Sequence, residues 1–219
     1  MQKILYLFPL AVLLCLAACS NNSADGNGKI TSQIRDVKVF DKIKVSGKFN
    51  VLAATGKTQK VTVTADGNLI GDIETTVSDN ILYIKTKNNV HLKASKTPVL
   101  TVRVKALKEI DTAGAVKLHV TNLMGDEFKV QTSGDSYVDL RGQVKKLKIE
   151  TIGSASVNAI QLKANDVDVE ISGSGHVKTH ALNELDVKIS GDGKIEYSGD
   201  PVINQEISGS GKILQIERK

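Results

Sequence analysis

The chain has no tryptophan, only three prolines, and aromatic side chains make up 4% of its 219 residues. So few rings exclude a stacking platform for bases or sugars. So few prolines exclude a proline-rich spacer. There are two cysteines, Cys15 and Cys19, which is too few for a disulfide scaffold or a thiolate metal cluster. Long apolar runs are also scarce. The one that stands out, Ile4 to Leu16, is short for a membrane span and is interrupted by Pro9. What is abundant is glycine, at 18 residues, and lysine, which outnumbers arginine 25 to 4.

The N-terminus reads as an address. Residues 1–18 combine Lys3, an apolar stretch and then small residues, the pattern of a secretory signal. Leu16-Ala17-Ala18-Cys19 resembles the lipobox that precedes a lipidated cysteine in bacterial lipoproteins. On that resemblance the signal is cut before Cys19, which becomes the lipidation site and membrane anchor. Several acyl chains anchor far better than one, at about 0.8 kcal/mol per buried CH₂. Ser20 after the cysteine, in place of Asp, implies the outer membrane. Cleavage also removes Cys15, so no disulfide can form within the mature chain, and stability must come from packing. Residues 19–29 are expected to form a lipidated, flexible tether: Ser20 to Gly28 is small, polar and aperiodic.

Beyond the tether the chain repeats itself. Gly114, Gly134, Gly153, Gly173, Gly191 and Gly209 follow one another at spacings of 20, 19, 20, 18 and 18. Four positions before each glycine stand Ile110, Val130, Ile149, Val169, Val187 and Gln205. Two before stand Thr112, Thr132, Thr151, Ile171, Ile189 and Ile207. Four after stand Leu118, Val138, Val157, Val177, Ile195 and Ile213. Polar residues fill the positions between. Alternation with a period of two, rich in β-branched residues, is the signature of strands. Each repeat therefore reads as a strand, a tight turn at the glycine, a second strand and a second turn. Glycine supplies the positive φ such a turn needs.

One repeat cannot bury its own apolar side, but a stack of repeats can. The expected fold is all-β: a parallel β-solenoid, or β-helix, with rungs of about 19 residues. An antiparallel sandwich would leave the column-by-column recurrence unexplained. Residues 30–219 are expected to form one domain. Its N-terminal half, with Ile43–Val51, Val61–Val63, Ile73–Val77, Ile81–Ile84 and Val99–Val104 as strands, would supply broader first rungs that cap the stack. A short helical turn is expected at Asn68–Gly71.

These residues resemble a known family. Phe40–Val51 (FDKIKVSGKFNV), followed by ISGSG at Ile171–Gly175 and Ile207–Gly211 and ISGDG at Ile189–Gly193, is similar to the head GIN domain family. Its members are called putative auto-transporter adhesins and are widespread in Bacteroidetes. The resemblance implies a β-helical solenoid with Gly-Ser-Gly turns, a role in adhesion, kinship to trimeric adhesin heads, and no catalytic residues to carry over. The last residues, Ile213–Lys219, do not resemble the membrane translocator of a true autotransporter.

On the solenoid reading, the polar columns form outer faces. Five before the glycine stand Glu109, Lys129, Lys148, Asp168, Asp186 and Asn204. Three before stand Asp111, Gln131, Glu150, Glu170, Lys188 and Glu206. Asp168, Asp186, Glu150 and Glu170 thus crowd one face and form a candidate ligand face. Paired carboxylates can serve acid–base chemistry on a glycan or hold Ca²⁺. They can equally form a solvated, mixed-sign ladder with Lys148 and Lys188. The Ser-Gly-rich turns lack both the calcium-binding nonapeptide and the helix-plus-lysine of a phosphate loop. His91, His119, His176 and His180 complete no ligand set and read as isolated surface residues.

The net charge of +5 does not point to nucleic acid. Arginine and aromatics are scarce, and an export signal removes the protein from the genome. The expectation is a non-enzymatic, lipid-anchored envelope protein without cofactor or metal. It would bind a glycan or protein ligand and could form homo-oligomers. The alternative is a polysaccharide-binding or polysaccharide-cleaving protein that uses the acidic face.

Overall fold

The computed structural model describes residues 22–217. The signal at 1–18 and the lipidation site Cys19 lie outside the described residues. The strands are β1 (Asn22–Asp25), β2 (Ile30–Arg35), β3 (Lys42–Gly47), β4 (Asn50–Thr55), β5 (Lys60–Asp66), β6 (Ile73–Ser78), β7 (Ile81–Thr86), β8 (Val90–Lys93), β9 (Val99–Val104) and β10 (Glu109–Gly114). They continue as β11 (Lys117–Gly134), β12 (Tyr137–Gly153), β13 (Ser156–Gly173), β14 (His176–Gly191), β15 (Lys194–Ser198), β16 (Val202–Ser208) and β17 (Lys212–Gln215). A single turn of 3-10 helix at Ile70–Asp72 is the only helical element among the described residues.

The repeat is a parallel β-solenoid. Strands β10 to β14 pair in parallel, each with the next, and the aligned glycines fall opposite one another from Gly47 through Gly114, Gly134, Gly153 and Gly173 to Gly191. Ile110, Val130, Ile149, Val169 and Val187 form one inward ladder, and Leu118, Val138, Val157, Val177 and Ile195 form another; all are buried. At most of its steps the glycine column has no room for a side chain. Gly173 has φ +115°, and a Cβ there would stand 2.8 Å from the Gly153 carbonyl oxygen.

The second turn expected in each repeat is replaced by a bend. Strands β11 to β14 run 16–18 residues without leaving the ladder. The corner is a register shift, between Val120 and Leu123 against β12, between Asp139 and Arg141 against β13, and between Ala159 and Lys163 against β14. These shifts absorb the unequal repeat lengths, because the extra residues are taken up at the corner while the limbs on either side stay in register. Gly142 sits at this corner with φ +144°, where a Cβ would lie 2.0 Å from the Leu123 carbonyl oxygen.

The SGSG and SGDG motifs have a packing reason. The second glycine of each motif faces the residue two before the first glycine of an earlier coil. A Cβ on Gly193 would lie 2.6 Å from Ile171 Cγ2, and one on Gly211 would lie 2.6 Å from Ile189 Cγ2. In earlier coils, where that column holds Thr112 and Thr132, the equivalent position carries Ser136 and Ala155. Where isoleucine fills the facing column the position is glycine, and Gly175 opposite Thr151 is equally tight, since a Cβ there would lie 2.6 Å from the Thr151 Oγ1.

The N-terminal half departs from simple winding. Strands β3 and β4 stack on β10 and β11, and β7 and β9 stack outside them, all in parallel. The later coil therefore lies outside the earlier one. The reason is local: Asp79 and Asn80 both have positive φ, the hairpin geometry that folds β7 back along β6 and delivers it to the free edge of β3. Antiparallel β6, β5 and β2 then finish this end.

The tether expected over residues 19–29 is not free from Asn22 onward. Strand β1 pairs in parallel with β8, and the Gly26 N–H donates to the Lys93 carbonyl at 2.9 Å. The buried Asp66 carboxylate accepts from the Gly28 N–H at 2.8 Å, the Ser95 N–H at 2.9 Å and the Ser95 hydroxyl at 2.6 Å. The Ser95 hydroxyl bond leads in holding Asp66 below the usual carboxylate range. A buried acid with three donors is a clasp that composition alone could not reveal.

Gly193→Ala is expected to cost about 1–3 kcal/mol through overpacking. Combined with Ile171→Ala, which removes the obstructing methyl, the loss should fall short of the sum by about 1 kcal/mol or more in urea unfolding.

Candidate functional site

The acidic face lies where the repeat placed it. Asp168 stands directly beside Asp186, Glu150 beside Glu170, Lys148 beside Asp168, and Glu170 beside Lys188. The four acids have unlike surroundings. Glu150 is held by Lys148 Nζ at 2.9 Å, Lys129 Nζ at 3.1 Å and Gln131 Nε2 at 2.7 Å. Burial pushes its carboxyl up, but these three donors together hold it below the usual range. Asp186 accepts from Asn204 Nδ2 at 2.8 Å. Asp168 and Glu170 make no ion pair among the described residues, although both lie near enough to help raise the Lys148 amine, whose main partner is Glu150.

Further toward the N-terminus the same face is a ladder of alternating charge. Lys44 meets Asp111 at 2.6 Å and Lys42 meets Glu109 at 3.1 Å. The face is therefore a mixed-sign ladder along most of its length, with an acid-rich end at Asp168 and Asp186. There a shallow depression of about 280 Å³ is lined by those two acids with Lys188, Asn204 and Glu206. It is a dent in a flat sheet, not a cleft that could exclude water around a sugar ring.

The face after the glycine holds the tighter clusters, which the sequence reading passed over. Glu196 is gripped by Lys178 Nζ at 2.7 Å and by Lys194, with His176 Nε2 at 3.4 Å. Hydrogen bonds from Lys178 and Lys194 bring its carboxyl down to about 2. Asp139, only 4% exposed, takes Arg141 Nε at 3.0 Å and Asn158 Nδ2 at 2.9 Å, with His119 Nδ1 at 3.6 Å. The His119 ring also lies against Tyr137, with centroids 5.9 Å apart. His180 Nδ1 is 2.7 Å from the Ser198 hydroxyl. Three histidines expected to be isolated are thus engaged. The signal was present in the fifth column after the glycine, which holds His119, Asp139, Asn158, Lys178 and Glu196 in register. In such a column unlike charges fall about 4.8 Å apart.

A separate cavity of about 560 Å³ sits at the N-terminal glycine edge, between Gly47 and Gly114 on one side and Val90–Ala94 on the other, with Lys48, His91 and Lys93 at its wall. Among the described residues no group of three or more His, Cys, Asp or Glu is arranged to hold a metal ion. No helix among them is long and apolar enough to cross a membrane.

The model of the family described as "Putative auto-transporter adhesin, head GIN domain" matches residues 39–201. The chain belongs to the head GIN domain family. Solved structures share the head GIN domain's fold. One from Bacteroides fragilis, described as a putative adhesin, superimposes with a TM-score of 0.75 at 22% identity, covering 88% of this chain and 100% of its own. One from Parabacteroides distasonis, described as a putative lipid binding protein, gives 0.63 at 21% identity over 90% of this chain and 100% of its own. A putative adhesin from Parabacteroides merdae gives 0.62 at 21% identity with the same coverage. No curated protein matches this chain.

A carboxyl held below its ordinary 4.5 stabilises the fold above that pH, and the contribution fades as pH falls toward 2. Glu196→Gln is expected to lower the melting temperature at pH 7 by about 2–4 °C, the shift of about 1 kcal/mol. The wild-type advantage should shrink steadily between pH 5 and pH 2 in thermal melts followed by circular dichroism.

Proposed function

We propose that this head GIN protein is exported, held at the outer membrane by lipid on Cys19, and serves without catalysis as an adhesion or binding scaffold in the cell envelope. The observation that carries this reading is the outer surface. Several of its acids are held by lysines on the same or the adjacent strand, as Glu150 is by Lys148 and Lys129 and Glu196 by Lys194 and Lys178, while Asp168 and Glu170 make no ion pair among the described residues. Carboxylates committed in this way are poor general acids and bases, whereas flat ladders of fixed charge can meet a glycan or protein face. The family description and the B. fragilis and P. merdae neighbours, both described as putative adhesins, support the same reading.

The docking of β1 bears on the anchor. With the chain paired from Asn22 onward, three residue steps separate Cys19 from the folded body, a span of at most about 10 Å. A lipid at Cys19 would therefore hold the N-terminal end of the solenoid against the bilayer, with the C-terminal coils farther out.

The second reading is polysaccharide binding or cleavage at the acid-rich end, favoured by the direct adjacency of Asp168 and Asp186. Release of reducing ends from envelope polysaccharides separates the two. The scaffold reading expects no release by wild type or by Asp168→Ala/Asp186→Ala, with glycan-array binding retained by the double variant. Release by wild type that the double variant loses would transfer the function to the acidic face. For the anchor, labelled palmitate should enter the wild-type chain in a bacterial host and be absent from Cys19→Ser.

A further inference from the structure

Both ends of the stack leave strands paired on one side only, β2 and β6 at one end and β16 and β17 at the other, but β2 and β16 differ in what they turn to the core side. At the N-terminal end, β2 and β6 run antiparallel to their neighbours. The side chains of β2 on the core side, opposite Ala65, Val63 and Val61, are Thr31, Gln33 and Arg35. Arg35 closes this end by donating to the Ile70 carbonyl at 2.6 Å and the Ile73 carbonyl at 3.2 Å. At the C-terminal end, β16 pairs only with β14, and β17 only with β15. The positions of β16 that continue the core columns are Ile203, Gln205 and Ile207, opposite Leu185, Val187 and Ile189. Ile207 is 39% exposed.

Proteins usually blunt an open strand edge with lysine, proline or a bulge. In a chain with 25 lysines, Val202–Ser208 contains no lysine and no proline, and its single charge is Glu206. The strand's other face is its hydrogen-bonded ladder to β14, so its free backbone groups point along the stack, away from the body.

We propose that this edge pairs with the same edge of a second copy, β16 antiparallel to β16, about a two-fold axis through Gln205. Such an axis keeps core-facing residues facing the core only if it passes through a residue, because strand side chains alternate. Three centres pair five residues or more. An axis through Glu206 sets two glutamates directly opposite each other, which repel. An axis through Asn204 sets Ile203 against Gln205. An axis through Gln205 pairs all seven residues of the strand. It sets Ile203 against Ile207 on the core side and Asn204 against Glu206 outside. The Gln205 amides, each both donor and acceptor, then meet on the axis. The apolar columns of one solenoid continue into the other, and Ile213 of β17, which carries the second inward ladder, is covered with them.

This arrangement directs the two N-terminal ends apart. On the reading that Cys19 holds each copy at a bilayer, the pair spans two facing membranes, and the partner in adhesion is a second copy of this chain.

The chain from Asn22 onward carries the whole described core and is the material for sedimentation equilibrium. Wild type is expected to reach twice the monomer mass at high micromolar concentration. Gln205→Lys and Gln205→Glu place like charges across the axis and should each weaken pairing at least about tenfold, with unchanged melting curves because Gln205 is exposed. Mixing the two variants should restore dimers, since lysine then faces glutamate. A wild type that stays monomeric, single variants that dimerise like wild type, or a mixture no better than its components would each overturn the proposal. Phosphatidylcholine vesicles coupled by a maleimide lipid to the free Cys19 thiol of unlipidated chain that begins at Cys19 test the facing-membrane arrangement. Wild-type vesicles should aggregate, and vesicles bearing the two charge variants should aggregate only when mixed. Dimers in solution without vesicle aggregation would overturn that arrangement. Lipidation itself is read separately by palmitate labelling, so failure of the anchor is distinguishable from failure of the edge.

Discussion

Everything in this molecule depends on parallel strands stacking in strict register at the glycine column. Gly114 to Gly191 lie opposite one another with backbones too close for a Cβ at several steps. That contact fixes where each limb begins. Once the limbs start together, a period of two guarantees that Ile110, Val130, Ile149, Val169 and Val187 pile up inside. It equally guarantees that the polar residues between them pile up outside. The core and the two outer faces are thus products of one constraint.

Stacking identical columns has an electrostatic consequence. Residues of the same column stand about 4.8 Å apart, so a column of one sign would repel itself along its whole length. The outer columns mix the two signs instead, with like neighbours at a few steps such as Lys129 beside Lys148 and Asp168 beside Asp186. Lys42 meets Glu109, Lys44 meets Asp111, and Lys129 and Lys148 share Glu150. Glu196 between Lys178 and Lys194 is the tightest case, with its carboxyl brought down to about 2. These faces are therefore stiff, patterned and flat, properties suited to recognition across a surface and poorly suited to enclosing a reaction.

The ends break the symmetry. Antiparallel strands and Arg35 close the N-terminal coils, where β1 and the Asp66 clasp also bind the leading segment to the body. The C-terminal coil keeps the same backbone geometry but thins its core columns, with Gln205 where earlier coils hold valine or isoleucine. A solenoid so built has one end whose edge strand β2 turns polar side chains to the core side and one whose edge strand β16 keeps isoleucines there.

The stacked coils, their inward columns and the placement of Asp168 beside Asp186 were readable from the residues alone, because a repeat with a two-residue period leaves the chain little choice once glycines align. The uneven spacings were also visible, but only the structure showed that register shifts absorb them inside unbroken strands. The loose N-terminal half was another matter. The stacking of β7 and β9 outside β3 and β4, the pairing of β1 with β8 across some 68 positions, and the burial of Asp66 under Gly28 and Ser95 depend on contacts between segments that share no periodicity. Local pattern determines which face of a strand is wet and which is dry. Which strand lies beside which, where no repeat enforces it, is decided by backbone groups and buried charges finding partners far along the chain, and only the tertiary structure records that choice.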